Sequence, residues 1–257
     1  MTKTVTIIGT GNVATHIAQA LHKAGIKVDL VIGRSMDNCK PLALSVDARY
    51  SSNISSTQIT SNLAIIAVSD DAYPEVISQL LLSPSTVVAH TSGSLSIDIL
   101  SKLPNSYGVL YPLQTFTIGR SVDFSAIPIC IEASSEKAMQ TIEEIALILS
   151  SKTLQITSLQ REQIHLAAIF SSNFINYLYF CSEELMQDKG LPFELLYPLI
   201  AETTSKAIEI NPENAQTGPA RRNDLRILQK HISMLKSPEM KQLYTFLSEQ
   251  IIKKYNS

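Results

Sequence analysis

The stretch TVTIIGTGNVATHIAQALHKAG, Thr4–Gly25, leaves few folds open to the chain that carries it. Its Val- and Ile-rich start reads as a strand and Gly9–Thr10–Gly11 as a turn. Val13, Ile17, Leu21 and Ala24 then recur at helical spacing until Gly25 stops the run. KVDLVIG follows at once as a second strand. Strand, helix, strand in that order is a βαβ unit, and its crossover makes the two strands parallel. A missing Cβ at Gly9 permits the tight turn, one at Gly11 lets backbone approach a ligand, and Ala14 allows close packing of helix on strand. The helix N-terminus offers unpaired amide N–H groups, which suits the pyrophosphate of a dinucleotide. Gly9, Thr10, Gly11, Asn12, Val13 and Ala14 are therefore the candidate cradle, against the plainer reading of a turn that only connects two elements.

The pattern repeats downstream. NLAIIAVS, STVVAHTS, YGVLYP, IPICIEA and KTLQITS read as further strands, the last two separated by the helical SSEKAMQTIEEIALILSS. Several are apolar at consecutive positions, as expected of strands covered on both faces in a parallel sheet. From about Leu159 no strand signal remains. A helix is expected without a break from Arg161 to Gly190, then three more over Pro192–Glu209, Gly218–Leu235 and Pro238–Tyr255. The expected fold class is α/β: an N-terminal Rossmann-type doubly wound sheet over residues 1–157, then an all-α C-terminal domain over 158–257 resembling that of 6-phosphogluconate dehydrogenase.

A hydrophobic content of 45% supports a sizeable core. A net charge of −2 with no Lys or Arg run longer than two residues argues against nucleic acid as a partner. The longest apolar runs are only about six residues, short of a membrane span. Cys39, Cys130 and Cys181 are too scattered for a metal site or a disulfide framework. The expectation is a cytoplasmic protein with no metal, no membrane and a small-molecule substrate.

Where the second strand ends, a carboxylate would select NAD by bonding the ribose 2′-hydroxyl. Here Gly33, Arg34 and Ser35 stand instead, and a guanidinium with a hydroxyl suits a 2′-phosphate, so NADP is preferred to NAD. Val68, Ser69 and Asp70 follow another strand and could line the nicotinamide side, although Asp70 also reads as a helix N-cap. Thr91 and Ser92 of AHTSGS are cofactor candidates of the same kind, and His90 beside them is either catalytic or a bonded structural residue. Tyr111 and Gln114 of YPLQTF precede a long loop and are candidate substrate contacts.

GTGNVA, GRS, HTSGS, YPLQTF, HLAAIFSSNF and TGPARRND together carry a resemblance over nearly the whole chain. It resembles Rossmann-like oxidoreductases whose helical C-terminal domain has no assigned function. These are relatives of deazaflavin-dependent NADP reductase, pyrroline-5-carboxylate reductase, ketopantoate reductase and the 6-phosphogluconate and β-hydroxyacid dehydrogenases. The resemblance implies an NADP-dependent reductase architecture, a homodimer through the helical domain and an active site between domains. The better-known dehydrogenases carry a catalytic lysine on the first long C-terminal helix, whereas no lysine occurs here from Arg161 to Gln187. In its place stand His165, Ser172, Asn173 and Asn176. At about 100° per residue, Ser172 and Asn176 share the histidine's face and Asn173 lies some 80° round. His165 as general acid or base with Asn173 orienting a carbonyl is one reading, and a hydrogen-bonded polar seam is the other. In TGPARRND, Arg221, Arg222 and Asp224 are expected near a helix start, where arginine opposes the dipole and suggests an anionic substrate or an Arg–Asp pair.

Three functions remain in view: an NADP-dependent oxidoreductase acting on C=O or C=N, a non-catalytic NADP-binding sensor, and a reductase with a deazaflavin or flavin partner.

Overall fold

In the computed structural model, which describes residues 3–256, the apolar runs become strands in the anticipated order. The elements are β1 (Thr4–Ile8), α1 (Asn12–Lys23), β2 (Lys27–Ile32), α2 (Met36–Leu44), β3 (Arg49–Ser51), β4 (Gln58–Ile59), β5 (Leu63–Ile66), α3 (Tyr73–Ser78) and β6 (Leu81–Leu82). They continue with β7 (Val87–His90), β8 (Tyr107–Pro112), β9 (Ile129–Ala133), α4 (Glu136–Leu149) and β10 (Thr153–Gln155). Eight strands form one sheet in the order β10-β9-β8-β7-β5-β1-β2-β3, and β4 and β6 pair with each other. The chain runs outward from β1 through β2 to β3, then returns to β5 and runs the other way. The two directions part between β1 and β5, the switch point at which the carboxyl ends of strands open a crevice.

Neighbouring strands are parallel except β8 and β9, which run antiparallel in an otherwise parallel order. The reason is the connection. Residues 113–128 hold only a short 3₁₀ turn at Phe124–Ala126, so the chain folds back instead of crossing over on a full helix.

The consecutive apolar positions are explained by two covered faces. Val5, Ile7, Leu63 and Ile65 pack with Ala14, Ile17 and Leu21 of α1 and with Ile142 and Ile145 of α4. Ile8, Ala64, Ile66 and Val88 point the opposite way, against Tyr73 and Leu100. Each fully buried Val, Leu or Ile side chain of this kind stabilises by about 1.5–3 kcal/mol.

Helices follow: α5 (Ser158–Ala168), a π-helical stretch at Ile169–Phe174, α6 (Ile175–Gln187), α7 (Tyr197–Glu209), α8 (Pro212–Ala215), α9 (Leu225–Met234) and α10 (Pro238–Asn256). The chain divides into two compact units between Asn173 and Phe174. Gly190, at φ +67°, closes the long run after α6. The π-helical stretch breaks the expected continuous α-helix. Each of its residues turns through less than an α-helical residue does, so angles summed at 100° per residue do not carry from His165 past Ile169.

The helix expected from Gly218 begins only at Leu225. Asn223 takes φ +54°, and the Asp224 carboxylate accepts the Ile227 N–H at 3.1 Å as N-cap, which leaves Pro219–Asn223 as a turn. The segment from Pro192 likewise opens with a 3₁₀ turn, Phe193–Leu196, before α7. Among the described residues no helix is long and apolar enough to cross a membrane, and no three His, Cys, Asp or Glu side chains gather as a metal site.

Candidate functional site

The carboxyl ends of β1, β2, β5, β7 and β8 open into one groove of about 960 Å³, lined by residues of the N-terminal unit. Its floor is the turn between β1 and α1. Gly9 takes φ +124°, and a Cβ there would strike the Ala67 carbonyl, so only glycine lets β1 and the end of β5 approach. At Gly11 the opposite holds: nothing lies within 4 Å of where a Cβ would stand, so the backbone is open to the groove. Gly11 is the N-cap of α1, no side chain caps that helix, and its first turn holds no acid. Its first N–H groups lack intrahelical acceptors and carry the positive end of the dipole. A phosphate fits this chemistry and a carboxylate side chain does not compete for it. Ala14 lies beneath, fully buried in the core, where it spaces helix from sheet and does not line the groove.

Arg34 lines the groove at the end of β2; it is exposed and makes no ion pair among the described residues. Asp29, the acid within β2, is bound to Arg49 at 2.6 Å. Ser35 is not among the residues lining the groove, and its carbonyl accepts the Asn38 and Cys39 N–H groups at the start of α2. Ser52 and Asn53, just beyond β3, join the lining and were missed. β3 has only three residues, too few for a periodic signal.

Val68, Ser69, Asp70, Thr91 and Ser92 all line the groove. The Asp70 carboxylate accepts the Ser94 hydroxyl, and α3 begins beyond it at Tyr73, so its bond is to a side chain and not to a helix amide. The Ser92 hydroxyl accepts the N–H groups of Ser94 and Leu95, each at 3.1 Å, which turns the chain after β7. His90 lies under this turn, fully buried and outside the lining, with Nδ1 accepting the Ser92 N–H at 3.2 Å. Burial first, and the Arg161 charge second, push its pKa down to about 3, so it is neutral and structural.

Tyr111, Gln114 and His165 also line the groove. The Tyr111 hydroxyl lies 3.0 Å from His165 Nδ1, with the rings edge-on at 6.0 Å and 77°. Burial pushes the Tyr111 phenol up to about 12, so it keeps its proton. Gly93 makes room for the histidine, since a Cβ there would stand 2.5 Å from Nδ1 and 2.6 Å from Cγ. Gly93 and Ser94, both of the HTSGS stretch, line the groove beside Thr91 and Ser92.

One turn before His165, the fully buried Arg161 donates to Glu132 at 2.5 Å and to the Leu95 carbonyl. Glu132 also accepts the Ser158 N–H at 2.9 Å and hydroxyl at 2.8 Å. This cluster ties the start of α5 to β9 and to the chain after β7, and so sets where His165 stands.

Asn173 does not line the groove; its Oδ1 accepts the Ser172 hydroxyl at 2.9 Å within the π-helical stretch. In the helical unit the Arg221 guanidinium sits 4.2 Å from the centre of the Tyr255 ring, and Asp224 caps α9. Arg222 is exposed, and its side chain has no partner among the described residues.

Two family models match the chain, a Rossmann-like domain over residues 2–114 and a domain of unknown function, DUF2520, over residues 127–251. Among solved structures, a candidate NADP oxidoreductase from Bacteroides fragilis is 36% identical, with a TM-score of 0.92 over 98% of each chain. A protein from Thermotoga maritima is 21% identical, with a TM-score of 0.81 over 98% of this chain and 100% of its own. A reductive aminase from Aspergillus terreus, in complex with NADPH and ethyl levulinate, is 16% identical, with a TM-score of 0.74 over 99% of this chain and 95% of its own. The last two likenesses show the fold alone. No curated protein matches.

Proposed function

Because the chain belongs to the family that joins a Rossmann-like domain to DUF2520, we propose that it is an NADP-dependent oxidoreductase acting on a C=O or C=N bond of a small, anionic substrate. One observation carries this reading. A single groove holds an unpaired arginine at the end of β2, an uncapped helix N-terminus over a glycine turn, and a histidine in its lining. When bound, NADPH supplies the hydride.

The chain's own residues do the rest. Arg34 holds the 2′-phosphate by charge-assisted bonds. The Gly9–Val13 turn holds the pyrophosphate at the α1 N-terminus, and Val68, Ser69, Asp70, Thr91 and Ser92 flank the nicotinamide end. The protonated His165 ring gives a proton to the oxygen or nitrogen that the reduction leaves electron-rich and returns to the neutral imidazole. Gln114 faces the substrate, and Arg222 is the arginine of TGPARRND free to meet an anion. Residues 1–157 form the cofactor domain and 158–257 the substrate and dimerisation domain.

The test is NADPH consumption over a panel of keto acids and cyclic imines. His165→Ala should abolish turnover while NADPH affinity stays within about twofold. Full activity in that variant would sink the assignment. A non-catalytic NADP-binding sensor is the second reading, favoured by the stretch without lysine from Arg161 to Gln187, and it predicts tight NADPH binding with no turnover across the panel.

A homodimer through the helical unit is part of the proposal. Leu199, Ile208 and Phe246 are 62%, 79% and 59% exposed in the single chain, apolar side chains that a second copy would cover. Light scattering at twice the chain mass is the expected result, and a monomer at micromolar concentration would refute it.

A further inference from the structure

We propose that Tyr111 is a positioning residue that holds the proton of the neutral His165 ring on Nε2. The inference rests on the reading of His165 as the group that meets substrate, and it adds which nitrogen carries the N–H.

A neutral imidazole has one donor nitrogen and one acceptor nitrogen, and a bond to one of them decides the other. Among the described residues, His165 Nδ1 at 3.0 Å is the hydrogen-bond partner of the Tyr111 hydroxyl. Tyr111 is 8% exposed, and among the described residues its O–H has no acceptor other than Nδ1. A buried donor without an acceptor is costlier than an oxygen lone pair left empty. The hydroxyl therefore donates to Nδ1, and the proton of the ring goes to Nε2.

Neither partner is free to turn away. Tyr111 is fixed in β8 between β7 and β9. His165 follows the Arg161–Glu132 tie by one turn of α5, and its Nδ1 edge fills the space a Cβ on Gly93 would need. Nε2 has no partner among the described residues and is not a buried unpaired atom, so it is accessible on a residue that lines the groove. Because a hydroxyl also accepts, the same contact stands when the ring takes a second proton.

The substrate class narrows accordingly. An N–H at Nε2 bonds an atom with a lone pair, a carbonyl oxygen or a neutral imine nitrogen. A protonated iminium offers it none.

The experiment is ¹⁵N NMR of the full chain with labelled histidine, the His165 signals being assigned by their loss in His165→Asn. Wild type should show the Nε2–H tautomer. Tyr111→Phe should lower the Nε2–H to Nδ1–H ratio by about fivefold or more, with NADPH affinity within about twofold and kcat down about tenfold at little change in KM. A proton on Nδ1 in wild type, or an unchanged ratio in Tyr111→Phe, overturns the proposal. Should that variant not fold, scalar coupling between the Tyr111 hydroxyl proton and Nδ1 in wild type decides the point, and its absence overturns the proposal equally. The tautomer is read without any turnover. An active His165→Ala would therefore reject the catalytic reading while leaving the Nε2–H assignment to stand or fall on the spectrum.

Discussion

Removing the Glu132 carboxylate should cost more than removing the arginine it pairs with. In Glu132→Ala, the Arg161 guanidinium stays fully buried, keeping the Leu95 carbonyl and the Ser158 hydroxyl as acceptors but losing its counter-charge. The Ser158 N–H, bonded to Glu132 at 2.9 Å, is freed as well. Breaking a buried pair from one side costs about 3–5 kcal/mol, because an uncompensated charge is left behind. The Glu132 side chain is 16% exposed, so water reaches the gap and the lower end applies. At roughly 2–4 °C per kcal/mol for a unit of this size, the first thermal transition should fall by about 6–12 °C. Arg161→Met removes the buried charge and keeps an apolar stem, so it should cost less, at most about 2 kcal/mol. Glu132→Gln retains an acceptor for Ser158 and should fall between the two. Circular dichroism melts and urea titrations at neutral pH read all three. A Glu132→Ala transition within about 2 °C of wild type, or a larger loss in Arg161→Met, would show that the cluster does not hold α5 in place.

Three other perturbations separate the parts of the groove. Arg34→Ala should weaken NADPH binding by about tenfold or more, the worth of a charge-assisted contact, and leave NADH unchanged in fluorescence titration; equal affinity of the parent for both nucleotides would remove Arg34 from its role. Gly9→Ala should abolish binding of either nucleotide, because a side chain at φ +124° meets the Ala67 carbonyl, and nucleotide affinity near wild type would contradict the tight-turn account. The third concerns acid. His90, ordinarily near 6.5, is held down to about 3 by burial, so below pH 6.5 the unfolded chain takes up a proton that the folded chain refuses. Stability present above that pH is lost as it falls towards about 3, by up to about 1.4 kcal/mol per pH unit. His90→Asn, whose Oδ1 can still accept the Ser92 N–H, should flatten that slope in urea titrations across the range. An identical slope would show that other groups govern the acid limb.

Much of the molecule was legible in the chain because it is local. The glycine turn between TVTII and a 3.6-residue apolar stripe specifies a βαβ unit by steric rules that act within about twenty residues. Alternating faces in β1 and β5 show as consecutive Val and Ile, and Gly190 and Gly25 mark helix ends through their positive φ. Arg34 was readable because its place follows from the end of β2 alone. The antiparallel turn of β9 was not, since strand direction depends on whether a loop finds room for a crossover, and no residue in 113–128 records that. The π-helical stretch escaped too, as its residues fit an α-helix equally well by composition. The contact of Tyr111 with His165 spans 54 positions, and that of Gly93 with the same ring spans 72. Sequence alone determined that a dinucleotide-type turn and a polar helix would exist. Only tertiary packing brought β8, the chain after β7 and α5 to one groove, because the geometry between distant elements is set by core packing, with no local code to announce it.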